Sequence, residues 1–146
     1  MTKPPFTVTH VNDVPSYLEN DPIGPEWKPL RHHLGIEAFG ANVYVARPGE
    51  PELVNEHDEA AGSSHLGTEA GHEELYFVIK GEARFTVDGE TVDAPAGTFV
   101  FVREPSAKRS ATTETPGTTI LAVGGARGEA FKISRWEEKY TRELEG

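Results

Sequence analysis

Cysteine is absent from the sequence, which excludes disulfides, thiolate metal sites and a cysteine nucleophile. No apolar run approaches the length needed to cross a bilayer. The opening residues, Met1 to Phe6, lack the apolar stretch of a secretion signal. A cytoplasmic protein with no membrane partner is the expectation. Basic residues are scarce too: 14 stand against 24 acidic ones, a formal net charge of −10. That balance repels phosphate backbones and anionic lipid, so nucleic acid is not an expected partner. The acids are scattered and act mainly on solubility. Also missing are a Gly-x-Ser-x-Gly elbow and a phosphate-cradling Gly-rich loop that opens a helix.

What is present fits one domain over 1–146, with one core drawn from the 36% hydrophobic residues. Prolines crowd residues 1–30 and disfavour a central strand there. This stretch reads as an arm wrapping a body, with one turn of helix near Tyr17. Phe39, Ala41, Val43 and Val45 then alternate with Ala38, Gly40, Asn42 and Tyr44, the period of a half-buried strand. A second strand is expected from Leu53 to Glu59. The small residues of 60–71 cannot pack a core and read as a loop.

Beyond that loop the pattern sharpens. Glu74, Tyr76 and Val78 share one strand face, and Leu75, Phe77 and Ile79 the other. Asp88-Gly89 suits a two-residue hairpin turn with positive φ, which sets Val87 opposite Glu90, Phe85 opposite Val92 and Ala83 opposite Ala94. Thr98 to Val102 and Thr118 to Val123 read as further strands. Ser134 to Glu137 has the form of a capping box. Trp136, Tyr140 and Leu144 follow at one-turn spacing, so a short helix over 134–145 is expected against the barrel or a neighbouring subunit. Many short strands with Gly and Pro turns and one late helix indicate an all-β sandwich or barrel.

The run Glu73 to Gly81, with six residues between Glu74 and Gly81, then Asp88-Gly89 and Pro95-Ala-Gly97, resembles the conserved stretches of the cupin superfamily. The resemblance implies a jelly-roll barrel over 38–125, with the Pro-rich N-terminal arm and the C-terminal helix outside it, and a homodimer. It implies a small-molecule pocket in the barrel. Members of the family range from dioxygenases and isomerases to metal-free binding modules and storage proteins, so fold alone does not assign function. Its metal-dependent members hold Fe, Mn, Ni or Zn with a His-x-His pair, the strand Glu and a later His.

This chain keeps Glu74 and departs elsewhere. Gly67 and Glu69, or Thr68 and Ala70, stand where the His pair belongs, and Lys108 stands where the later His belongs. Arg103, Pro105 and Thr112 also depart from the second motif. His57 and Glu59 have the spacing of a substitute pair, and His72 lies two residues before Glu74. A divalent metal site of His57, Glu59, His72 and Glu74 is the possible exception to an otherwise metal-free expectation. In the preferred reading, Glu74 faces the barrel and is paired with Lys108 or Arg109, a cation standing in for the metal. Tyr76, Tyr44, Phe85 and Val100, with Val78 and Val102, are the expected pocket lining. Three function classes follow: a small-molecule-binding cupin with a degenerate metal site, a metal-dependent oxygenase or isomerase, and a structural or regulatory dimer with a vestigial pocket.

Overall fold

The computed structural model describes residues 4–16, 24–60 and 71–145. The expected helical turn at Tyr17 and the loop core at 61–70 lie outside them. After a 3-10 turn at Val11–Asp13, the chain forms β1 (Glu26–Lys28), α1 (Leu30–Leu34), β2 (Gly40–Val45) and β3 (Glu52–His57). Then come β4 (His72–Lys80), β5 (Glu82–Val87), β6 (Glu90–Pro95), β7 (Phe99–Val102), β8 (Arg109–Thr112), β9 (Thr119–Ala126) and α2 (Arg135–Glu145). The strands make two antiparallel sheets, ordered β1-β2-β9-β4-β7 and β3-β8-β5-β6. This is the all-β jelly-roll arrangement that the strand patterns and the family resemblance imply.

The hairpin register is the expected one: Val87 pairs with Glu90, Phe85 with Val92 and Ala83 with Ala94. Asp88 and Gly89 take φ of 48° and 82°, the positive values that let a two-residue turn follow the twist of its strands. Side chains from both sheets meet in one core around Leu53, Tyr76, Val78, Phe85 and Ile120, each 1% exposed or less. The rings of Tyr76 and Phe85 pack at 5.2 Å between centroids.

Two elements depart from the sequence expectation. Within the Pro-rich arm, β1 adds an edge strand beside β2, and Pro29 stands at the N-cap of α1, where an intrahelical donor is not needed. Lys28 ties this segment back by donating to the Val14 carbonyl at 3.0 Å. The second is β8, whose residues Arg-Ser-Ala-Thr carry too little apolar alternation to read as a strand.

At α2, half of the expected capping box forms. The Ser134 hydroxyl accepts from the Glu137 backbone N–H at 3.3 Å. The Glu137 carboxylate does not reach back. It pairs instead with the Arg31 guanidinium at 2.8 Å, with both residues buried. This pair docks α2 on the segment that carries β1 and α1.

Candidate functional site

Strand β4 runs through the middle of its sheet, between β9 and β7. Its pleat turns Glu74, Tyr76 and Val78 inward. Asn42 and Tyr44 of β2 and Ala122 and Gly124 of β9 share that inner face, and β3 approaches from the other sheet. These residues and α2 enclose a cavity of about 490 Å³, within the size range of small-molecule sites.

Three donors converge at the floor. His57, Glu59 and Glu74 each place one potential ligand atom within 4.8 Å of the others. Backbone bonds fix Glu59: its N–H donates to the Pro105 carbonyl at 2.8 Å, and its own carbonyl accepts from His72 at 2.9 Å. His57 sets Nδ1 2.8 Å from the Asn55 carbonyl and Nε2 3.2 Å from Glu59 Oε1. Both ring nitrogens thus face acceptors, an arrangement that only the imidazolium satisfies in full. Burial opposes that charge, but the bonds to Glu59 and Asn55 prevail, and the His57 pKa is raised.

The Glu74 carboxylate is already engaged. Its Oε1 accepts from Arg109 Nη1 at 3.1 Å and from the Tyr76 hydroxyl. Arg109 is fully buried; its Nε donates to the Ala107 carbonyl and its Nη2 to the carbonyls of Glu104 and Pro105. Burial, then the neighbouring Glu59, push the Glu74 pKa up, while Tyr76, His57 and Arg109 pull it back. Tyr44 lines the same cavity, and its hydroxyl pKa is pushed far up by burial and by the fields of Glu74, Glu59 and Glu137.

The fit of this cluster to a resident divalent metal is poor. One imidazole and two carboxylates are suitable donors, and their spacing is short enough. Glu74 Oε1, however, the oxygen that this residue turns toward His57 at 3.8 Å, already accepts two hydrogen bonds, one from a guanidinium. A metal there would meet a positive charge in a low-dielectric site.

Of the expected site residues, Glu74, Tyr44, His57, Glu59 and His72 line the cavity. His72 stands apart from the three clustered donors, its ring centroid 6.0 Å from that of Phe131. Lys108 must be removed from the pocket. It is exposed, because neighbours on a strand face opposite ways and Arg109 takes the inward position. Phe85 and Val100 belong to the packed core beneath the cavity, and Tyr76 reaches the site by its hydroxyl while its ring is core.

Sequence reasoning left the upper wall unassigned. Trp27 packs against Trp136 with ring centroids 5.0 Å apart and against Tyr140 at 6.0 Å, and Trp27 Nε1 donates to Asn42 Oδ1 at 2.8 Å. The stripe of Trp136 and Tyr140 placed α2 against the barrel, but nothing local in the sequence linked it to Trp27. Leu144, the third residue of that stripe, has a side chain outside the described set.

The cupin domain family profile matches residues 54–116. No curated protein matches the sequence. Among solved structures, a cupin protein from Bacteroides fragilis superposes with a TM-score of 0.60 at 15% identity, over 91% of this chain and 96% of that one. KdgF from a Halomonas species gives 0.58 at 12% identity, over 85% and 96%. A sugar phosphate isomerase of the cupin superfamily from Silicibacter pomeroyi gives 0.54 at 19% identity; 71% of this chain matches 60% of that one, so the match spans less than two thirds of the isomerase.

Proposed function

Because the cupin domain profile matches residues 54–116 and cupin structures share this fold, and because an arginine occupies the carboxylate that metal-dependent cupins offer to the metal, we propose that this is a small-molecule-binding cupin without a resident metal. The observation that carries this reading is the fully buried Arg109 bonded to Glu74 at 3.1 Å beside a cavity of about 490 Å³. The guanidinium neutralises the buried carboxylate and fixes its orientation, which are the structural services of a metal. It offers no open coordination position for oxygen or substrate. Ligand binding then rests on shape, on the ring faces of Trp27, Trp136 and Tyr44, and on a few polar groups.

Metal analysis of protein purified without a His tag tests this. The expected content is well below one ion per chain. A content near one ion per chain that disappears in His57→Ala would overturn the reading and support a metal centre at His57, Glu59 and Glu74, the reading that their 4.8 Å spacing favours.

We also propose a homodimer built on the outer face of the five-stranded sheet. There the register aligns two apolar rows, Val123-Leu75-Phe101 and Leu121-Phe77-Phe99. Phe99 and Phe101 are 65% and 46% exposed, and β7 is an edge strand. Soluble monomers rarely leave such a contiguous face open to water. Light scattering at micromolar concentration should give twice the chain mass, and Phe99→Lys with Phe101→Lys should give the monomer. A monomer for the unaltered protein would sink the idea.

A further inference from the structure

The described residues that line the cavity include four carboxylates, Glu52, Glu59, Glu74 and Glu137, two imidazoles, and no lysine or arginine. The guanidiniums of Arg109 and Arg31 bond to Glu74 and Glu137, yet neither residue lines the cavity. A phosphate or carboxylate ligand entering here would meet anionic side chains and no ammonium or guanidinium to receive it.

The end of the cavity under α2 adds an independent feature. Glu137 is 3% exposed and lines the cavity. Its Oε2 accepts from Arg31, while its Oε1 is buried with no hydrogen-bond partner among the described residues. Buried polar atoms of this kind are rare, because leaving a carboxylate oxygen unsatisfied is costly. Trp27, Trp136 and Tyr140 line the same cavity with clustered rings; the Tyr140 ring already carries the Lys139 ammonium at 5.7 Å, and the two indoles offer electron-rich faces. A neutral apolar ligand would satisfy the rings and leave Oε1 unbonded. A ligand with an N–H donor on an apolar body satisfies both, and positive charge on that donor adds attraction to the rings.

Resting on the binding function proposed above, we infer that the ligand is a protonated amine carried on an apolar body, its N–H directed to Glu137 and its charge set against the rings of Trp27 and Trp136. Glu52 and Glu59 line the same cavity and add negative charge to it. The class differs from a sugar phosphate, for which the described lining supplies no lysine or arginine.

Calorimetric titration with three probes of one shape and different charge tests the class: benzylamine at neutral pH, benzyl alcohol and benzoate. Benzylamine is expected to bind about tenfold more tightly than benzyl alcohol, and benzoate more weakly than either. Glu137→Gln keeps the shape and a partner for Arg31. It should lower benzylamine affinity about tenfold and leave benzyl alcohol unchanged. Trp136→Leu, which leaves the ion pair in place, should also narrow the gap between the two. Benzoate binding as tightly as benzylamine, or a benzylamine affinity indifferent to Glu137→Gln, overturns the amine class while leaving the cavity a binding site. Failure of all three probes to bind counts against the class and the binding function together.

Discussion

Arg109→Met should lower the free energy of unfolding by about 3–5 kcal/mol, the range for breaking a buried ion pair on one side. The guanidinium is fully buried and bonds four acceptors: the Glu74 carboxylate and the carbonyls of Ala107, Glu104 and Pro105. Methionine fills much of the same space, so packing is largely kept. What is lost is the charge facing Glu74, which already suffers from burial and from Glu59 nearby. Adding Glu74→Gln removes the stranded charge and keeps an acceptor for the Tyr76 hydroxyl. The double variant should therefore recover more than half of the loss. Urea midpoints of the two single variants and the double variant measure this directly. A double variant no more stable than Arg109→Met would show that the arginine acts through packing, and would remove the ground for treating it as a substitute for a metal.

Gly81→Ala is the second large effect, expected at about 2–5 kcal/mol. Gly81 joins β4 to β5 with φ of +82°, and a Cβ there would lie 2.3 Å from Thr118 Oγ1 and 2.8 Å from Thr118 Cα. Thr118 cannot retreat easily. It is fully buried, and its hydroxyl bonds the carbonyl of Thr115 at 2.7 Å and the Thr113 hydroxyl at 3.1 Å. Gly97→Ala is the control: φ is +93° and nothing lies within 4 Å of the added carbon. It should cost only the left-handed conformation, about 1–2 kcal/mol. Equal losses in thermal unfolding of the two variants would assign the whole effect to backbone conformation and none to the contact with Thr118.

The contrast between what the sequence disclosed and what it concealed follows the range of the interactions. Asp88-Gly89 and its flanking alternation fixed the β5–β6 register because turn chemistry and pleat act over a few residues. The parity of β4 put Glu74 inside for the same reason. Whether Lys108 or Arg109 meets it was not readable, because adjacent strand residues face opposite ways. The choice is made by pairing with β5, where Val87 lies opposite Arg109. The polar composition of β8 hid the strand itself. Trp27 sits in a Pro-rich stretch with no periodicity, and its place in the cavity wall is set by β1 joining β2 and by α2 folding over from the other end of the sequence. The half-formed capping box has the same origin: the Glu137 carboxylate gave up its local donor, the Ser134 backbone N–H, for Arg31, a partner no local pattern could name.

That last pairing also orders events in time. Arg31 and Glu137 lie 106 residues apart, and every strand from β2 to β9 lies between them. During synthesis Arg31 leaves the ribosome long before its partner is made. The segment that forms α2 is made after all nine strands, so the cavity wall that it supplies cannot be set in place before the residues of both sheets exist.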